Sequence, residues 1–413
     1  MSRFRFIDLF CGIGAFHRAM TSLGGECVYA CDIDKDVRTI YELNYGIKPD
    51  CDITKVDEKN IPHFDVLCAG FPCQSFSKAG NRLGFEDPTK GTLFFDVMRI
   101  ARYCKPKYML LENVRNLASH DNGNTWRTIK SSISQLGYYV QDNPVIFSPH
   151  YIGIPQHRER VFIMAVRDEE YDDFVFNSDN TRSCNIDSVL LDDNEILNLS
   201  KYKLSEKQIE WIDNWNEFIQ NIDCCPGFPV WSDCFCSFDE HPLRNEFNTL
   251  PEWKQKFILS NIQLYENNKT FIDKWLLKAK QNELFFGSKA KFEWQAGECE
   301  KLDIWDNIMQ IRPSGLRVKT GTYFPALVAI TQTSIIGKRK RYITPRECAR
   351  IQSFPDTFVI DENDSKAYKQ FGNSINVECA KIFAKYMFGD KATREEFSRK
   401  NQYPEEIISN TLF

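Results

Sequence analysis

Residues 6–16 read FIDLFCGIGAF: a short apolar run, then two glycines one residue apart, then the start of a helical pattern. Such a run, broken only by Asp8, reads as a short strand, and small residues directly behind it mark a strand-to-helix turn. Gly12 and Gly14 would let backbone N–H groups approach a ligand closely, although a bare GxG is more often only a tight turn. Working outward, the alternation repeats. ECVYACD (26–32) is a second strand and DKDVRTIYELNYG (34–46) a second helix. FDVLCAG (64–70) and KPKYMLLENV (105–114) are strands on either side of the helical TLFFDVMRIARYC (92–104). NTWRTIKSSISQLG (124–137) is a further helix and RVFIMAVR (160–167) a further strand. Strands alternating with helices at this spacing predict an α/β fold, a doubly wound, mostly parallel sheet covered on both faces. Ligands of such folds bind beyond the carboxyl ends of the strands.

At 413 residues the chain is too long for one simple core, and two domains or one domain with a large insertion is expected. No apolar run approaches the roughly 18 to 20 residues that span a bilayer, so no membrane partner is expected. The N-terminal MSRFRFIDLFCGIG lacks a signal peptide's cleavage pattern. The fifteen cysteines are odd in number and follow no framework spacing, which argues for reduced thiols in a cytosolic setting. Cys224, Cys225, Cys234 and Cys236, with His241 beyond, could be zinc ligands, but their spacing is not a familiar finger. A packed cysteine-rich loop is the stronger reading, and no metal site is assigned.

The net charge is −5 and unevenly divided. Residues 168–310 hold 14 Lys and Arg against 28 Asp and Glu, whereas residues 311–350 hold 9 against the single acid Glu347. That distribution suggests one basic strip facing a polyanion, with a solvated charged face as the equal alternative. The strand–helix alternation dissolves after about residue 168. The middle is acidic and irregular, with amphipathic helices such as SEKQIEWIDNWNEFIQ (205–220), while PGFPVW (226–231) and RPSGLRVKTG (312–321) read as loops. PRECARIQSFPD (345–356) and NSINVECAKIFAKYMF (373–388) restore a helical pattern. The expected organisation is a catalytic first part at 1–180, a smaller inserted domain at 181–340, a hinge region at 341–365, and a C-terminal segment at 366–413 returning to the first domain.

Chemistry-bearing residues fall at the strand ends. Asp32 closes the second strand about twenty residues beyond the glycines, where an acid commonly binds a ribose hydroxyl. Asp52 follows in CDIT (51–54). Two acids without a following GK[ST] suit a nucleoside with no demand for phosphate contacts, of which S-adenosylmethionine is an example. In GFPCQSFS (70–77), Pro72 restrains the backbone just before Cys73. A thiol with a pKa near 8.5 is mostly protonated at neutral pH, so Cys73 needs cationic neighbours or proton transfer to its substrate. Glu112 of ENV (112–114) ends the next strand, and QHRER (156–160) supplies Arg158 and Arg160, alternating on one face of an extended segment.

The ordered series FIDLFCGIGAF, GFPCQSFS, ENV, QHRER, PRECARIQSFPD and FGNSINV resembles the C5-cytosine DNA methyltransferase family, in its prokaryotic, restriction–modification form. FEDPTKGTLFFD (85–96) and ASHDNGNT (118–125) match as well, so the resemblance covers roughly residues 3–168 and 341–390. It implies the S-adenosylmethionine-dependent methyltransferase fold with an inserted target-recognition domain. It implies that Cys73 adds to cytosine C6, making C5 nucleophilic enough to take a methyl group and release S-adenosylhomocysteine. Loss of the C5 proton and elimination of the cysteine then regenerate the enzyme. Glu112 would hydrogen-bond the N3 and amine edge, Arg160 the O2 side, and Arg158 would hold Glu112 or the nearby backbone. The target base must leave the duplex stack, at a cost of a few kcal/mol.

For the cofactor, the resemblance points to Phe16 on the adenine, Gly12 and Gly14 near the methionine part, Asp32 at the ribose and Asp52 at the adenine amine. Phe10, Ile33, Ile53, Pro72, Asn373 and Ser374 complete the pocket. The family often has Glu followed by a bulky aromatic where this chain has Asp32 and Ile33, so one apolar face of the adenine contact is in question.

Gln74 and Ser77 are expected to touch DNA. Lys338, Arg339, Lys340 and Arg341 are assigned mainly to phosphates, and Arg312, Arg317 and Lys319 to base edges. The implied setting is a monomer acting on double-stranded DNA, with a cognate restriction endonuclease as partner. It would work in the cytoplasm at the nucleoid of a prokaryotic cell or from a phage. The alternatives are a tRNA cytosine methyltransferase of the same chemistry and, with less support, a non-catalytic DNA-binding homologue.

Overall fold

The structure, a computed structural model, describes residues 4–72, 93–167, 182–281, 287–297, 302–327 and 333–389. Cys73, Gln74 and Ser77 lie outside the described residues. The chain divides into two compact units, residues 1–184 with 345–413, and residues 185–344.

In the first unit β1 (Phe4–Leu9) lies between β2 (Gly25–Cys31) and β3 (Val66–Ala69), and β3 pairs with β4 (Tyr108–Val114), all parallel. Phe6, Ile7 and Leu9, like Val66 to Ala69, are wholly inaccessible, as expected of strands covered on both faces. Helices α1 (Ala15–Ser22), α2 (Lys35–Tyr45), α3 (Leu93–Cys104) and α4 (Asn124–Ser134) make the connections. Asp34 caps α2 by accepting from Asp36 N, and Gly46 closes it in the left-handed conformation.

The far side of the sheet holds the antiparallel strands that the mostly parallel expectation left unlocated. After β5 (Tyr138–Val140), β6 (Val145–Phe147) and the two-residue β7 (Gln156–His157), β8 (Arg160–Arg167) runs antiparallel to β4, β5 and β6. A strand buried on both faces has the same apolar sequence whichever way it runs, so RVFIMAVR carried no directional signal. The consequence is functional: Arg160 opens β8 opposite Val114, at the carboxyl end of β4. Helices α8 (Pro345–Ile351), α9 (Asp364–Asn373) and α10 (Val377–Phe388) complete this unit. Phe383 of α10 stacks on Phe162 of β8 with centroids 4.2 Å apart, and Phe388 meets Phe4 at 5.0 Å.

The second unit packs α5 (Glu206–Asn221), α6 (Glu252–Asn267) and α7 (Lys269–Gln281) with a six-stranded sheet. Ser205 and Gln208 form a reciprocal capping box at the start of α5. The strands are β9 (Val230–Trp231), β10 (Lys291–Gln295), β11 (Ile308–Arg312), β12 (Gly315–Lys319), β14 (Ile335–Ile336) and β15 (Arg341–Tyr342), in the order β15-β14-β11-β12-β10-β9. Phe324–Pro325 forms the short β13. RPSGLRVKTG is therefore a hairpin and not a loop: Arg312 pairs with Gly315 across the turn. The alternation of buried Leu316 and Val318 with Arg317 and Lys319 is the strand signal that the Pro, Ser and Gly obscured. Gly315 is required there, because its φ is +107° and a Cβ would sit 2.2 Å from the Lys291 carbonyl oxygen. Trp215, Trp275, Phe292, Met309, Leu316 and Val318 share the core.

Candidate active site

The glycine turn after β1 is held from behind. Gly12 N–H donates to Asp32 Oδ2 at 2.9 Å, and Asp34 N–H donates to Asp32 Oδ1 at 2.9 Å. Each carboxylate oxygen keeps a further lone pair for a ligand. Burial raises the Asp32 carboxyl above the ordinary Asp value, opposed by those two backbone donors. Gly14 has φ +85°, and a Cβ there would lie 2.2 Å from the Tyr45 ring. Tyr45 is fixed by donating to Gly14 O at 2.9 Å and by stacking on His17 with centroids 3.9 Å apart. Burial pushes the His17 imidazole down to about 4, so it is neutral at physiological pH.

The segment carrying Asp52 runs beside the end of β2, with Asp32 N–H donating to Asp50 O at 2.9 Å. Asp52 caps a short turn by accepting from Thr54 N–H, and Ile53 behind it is buried. Phe10 takes a positive φ of 53° and packs on the core, while Phe16 is buried in the first turn of α1. Ile33 is 77% exposed, and its carbonyl, like that of Asp32, accepts from Arg38 Nη1. Arg38 and Tyr45, which shape this loop, were not singled out from sequence. Neither belongs to a short motif, and their roles arise from contacts across α2.

At the carboxyl ends of β3 and β4 the second cluster forms. Gly70 follows β3 directly, and a Cβ on it would lie 3.6 Å from Glu112 Oε2. Asn113, the middle residue of ENV, donates through Nδ2 to Phe71 O at 2.8 Å and so holds the strand exit that leads to Pro72 and Cys73. Pro72 is exposed. Glu112 is 8% exposed and its Oε1 lies 3.0 Å from Arg160 Nε. Opposite residues of an antiparallel pair share a face, so the register Glu112–Phe162 and Val114–Arg160 sets Glu112 and Arg160 diagonally on one side of the sheet. Burial raises the Glu112 carboxyl, and the guanidiniums of Arg160 and Arg158 pull it back.

Arg158 is 2% exposed, and its Nη2 donates to the carbonyls of Gly372 and Ser374, both at 2.7 Å. Arg160 thus contacts Glu112, and Arg158 holds the backbone of the FGNS segment. Ser374 is buried and donates to Ile375 O, while Asn373 at the end of α9 is exposed.

In the second unit the expected nucleic-acid contacts separate. Arg341 does not fit a phosphate role: it is wholly buried, with Nε on Asp193 Oδ1 at 2.9 Å and further bonds to the carbonyls of Tyr342 and Leu191. A buried fork cannot meet a phosphate, so Arg341 ties its strand to the 191–193 segment. Of the same basic stretch, Arg346 and Arg350 belong to the first unit, where Arg346 bonds the carbonyls of Pro355 and Phe358 and Arg350 pairs with Asp356. Lys338, Arg339 and Lys340 are exposed on a turn, with Lys340 Nζ 4.5 Å above the Trp305 ring. Arg312, Arg317 and Lys319 project from the β11–β12 hairpin.

Cys234 and Cys236 are free thiols, and among the described residues no group of three or more His, Cys, Asp or Glu is placed to hold a metal ion. Also among the described residues, no helix is long and apolar enough to cross a membrane.

The profile of the C-5 cytosine-specific DNA methylase family matches residues 4–389. The chain is 34% identical to the Type II methyltransferase M.AluI of Cellulosimicrobium cellulans, covering 91% of this chain and 90% of that protein. It is 32% identical to the Type II methyltransferase M.HhaI of Haemophilus parahaemolyticus, over 92% and 93% of the two chains. The fold also resembles the crystal structure of S. pombe Dnmt2 methyltransferase, with a TM-score of 0.50 at 17% identity over 93% of this chain and 98% of that one. The chain belongs to the C-5 cytosine-specific DNA methylase family. It is a DNA (cytosine-5)-methyltransferase, and the tRNA-modifying and non-catalytic readings give way to that one.

Proposed function

We propose that this enzyme flips a cytosine out of a short duplex sequence and methylates C5 through a covalent adduct at Cys73, with S-adenosylmethionine as donor. The observation that supports it most is the pairing of buried Glu112 with half-buried Arg160 beside the strand exit leading to Cys73. Cys73 Sγ adds to C6, and Glu112, whose carboxyl is raised by burial, donates at N3 as charge develops there. Arg160 holds the Glu112 carboxyl and faces the O2 side of the ring. The electron pair of the new enamine at C5 would take the methyl group as its bond to the sulfonium sulfur breaks, leaving S-adenosylhomocysteine. Removal of the C5 proton then drives elimination of the cysteine and restores the thiol.

The residues around the glycine turn fit S-adenosylmethionine, which supplies an electrophilic methyl group on its sulfonium. Two carboxylates, Asp32 and Asp52, suit hydroxyls and an amine and would repel a phosphate. Asp32 is oriented for a ribose diol by Gly12 and Asp34, Phe16 and Ile53 supply apolar surface, and Ser374 borders the same segment that Arg158 holds. Phe10, Gly14, Ile33, Pro72 and Asn373 complete the proposed pocket. Gln74, Ser77, Lys338, Arg339 and Lys340 are proposed DNA contacts. The second unit reads the target sequence from Arg312, Arg317 and Lys319.

Relatives named Type II methyltransferases support a place in a restriction–modification pair, with a nuclease of the same recognition sequence as the partner and a monomer working in the cytoplasm at the nucleoid. The test is methyl transfer from labelled S-adenosylmethionine to unmethylated DNA, with bisulfite sequencing of the product, for the wild type and Cys73→Ala. Methylcytosine within one short motif, lost in Cys73→Ala while DNA affinity remains, is the expected result. Full turnover by Cys73→Ala would overturn the mechanism.

A further inference from the structure

The hairpin strands of the second unit present two unlike faces. Phe292, Trp294, Leu316, Val318 and Met309 point into the core. On the other face the register sets Glu293 of β10 beside Arg317 of β12, and Gln310 of β11 on the other side of Arg317. Arg317 Nε donates to Glu293 Oε2 at 2.5 Å, and Gln295 Nε2 donates to Glu293 Oε1 at 2.5 Å. Each carboxylate oxygen thereby accepts one bond, and the Arg317 and Glu293 side chains are only 21% and 17% exposed.

Two more cations crowd the same carboxylate. Burial lowers the pKa of Arg312 and of Lys319, with repulsion from Arg317 next in each case and Glu293 opposing. The Arg312 Nε is sequestered from solvent and has no hydrogen-bond partner among the described residues. Three cations around one carboxylate are a poor arrangement for stability alone, because each adds repulsion that a single acid cannot offset. The arrangement suits a surface that meets acceptor-rich ligand edges.

We propose that Glu293 is a positioning residue that aims Arg317 at one guanine of the recognition sequence. With Nε held by the carboxylate, the outer edge of the guanidinium, Nη1 and Nη2, forms a planar fork. That fork matches the N7 and O6 acceptors that only guanine presents together in the major groove. Gln295 fixes the carboxylate, so the chain of bonds Gln295–Glu293–Arg317 locks a side chain that would otherwise sample many rotamers. Lys319 and Arg312, with no such partner among the described residues, contribute charge more than discrimination. The inference rests on the proposed sequence-reading role of the second unit and adds which residue reads, what it reads and what orients it.

The experiment begins with bisulfite sequencing of unmethylated genomic DNA treated with the wild type, Glu293→Gln, Arg317→Lys and Lys319→Ala. Duplexes carrying 7-deazaguanine, which lacks the N7 acceptor, at each guanine of the motif follow. At one position 7-deazaguanine should lower the wild-type kcat/KM about ten- to a hundredfold, and Arg317→Lys should lose both that rate and that sensitivity. Glu293→Gln should spread methylation to sequences degenerate at the same position and no other. Lys319→Ala should weaken binding evenly across sequences. Circular dichroism melting of each variant separates these effects from loss of folding. If Glu293→Gln and Arg317→Lys methylate the wild-type motif with undiminished discrimination, the inference is wrong while the enzyme's function stands. If the wild type shows no motif at all, the sequence-reading role falls and the inference with it.

Discussion

Arg158 and Ser374 are 216 residues apart in sequence, and the Arg158 Nη2 donates to the Ser374 carbonyl at 2.7 Å while also holding Gly372 O at 2.7 Å. Arg158 also stands near enough to Glu112 to act on its charge. One buried guanidinium therefore joins the strand ends that carry the carboxyl proposed to bind the base to the segment proposed to border the cofactor.

Arg158→Lys keeps the charge and loses the planar fork, so at least one charge-assisted bond worth about 1.5–3 kcal/mol goes with it. The expected outcome is a rise of roughly tenfold or more in the KM for S-adenosylmethionine, with a smaller change in kcat. Steady-state kinetics beside a melting curve decides it: a lower Tm with an unchanged KM would make Arg158 structural only.

The two glycines of the first turn should differ. Gly12 has φ +51° and nothing within 4 Å of a Cβ, so Gly12→Ala meets only backbone strain of about 1–2 kcal/mol. Gly14→Ala meets the same strain plus a Tyr45 ring held by hydrogen bond and stacking, adding about 1–3 kcal/mol. Urea midpoints should therefore fall further for Gly14→Ala. Equal losses would show that Tyr45 can move aside.

A carboxyl that donates at N3 must be protonated, and the Glu112 pKa is raised by burial against the pull of Arg160 and Arg158. Its protonated fraction falls as pH rises through that raised value, so the rate it supports falls toward alkaline pH. Its contribution to stability has the same sign, present below the ordinary Glu pKa and lost as pH rises through the folded one. Glu112→Gln should lower kcat/KM by about 10²–10⁴. The ratio of wild type to variant should shrink as pH rises, and a ratio independent of pH would remove Glu112 as the acid.

Arg341 and Lys338 lie three residues apart and should behave oppositely. Arg341→Ala strands Asp193 and two carbonyls, and because Asp193 is 38% exposed the loss should be about 2–3 kcal/mol, at or below the range for a fully buried pair. Lys338→Ala should leave stability within about 0.5 kcal/mol and reduce the salt dependence of DNA binding by about one unit of slope. Denaturation and binding at several salt concentrations measure both.

By itself the sequence determined the strand–turn–helix start, the α/β class and the order of the motif residues. Each of these rests on local periodicity or on residue type, and both survive in one dimension: FIDL reads as a short strand, and Gly12 and Gly14 as a turn. Direction and partnership were decided by the tertiary structure. An apolar run such as RVFIMAVR reads alike in either orientation, and only the antiparallel pairing of β8 with β4 puts Arg160 on Glu112. A basic run such as KRKR gives every residue the same charge. It took burial against Asp193 to make Arg341 a structural tie and leave its three neighbours at the surface. Contacts between residues far apart in the chain arise when backbone closure and packing bring them together, and local sequence holds no record of the distance.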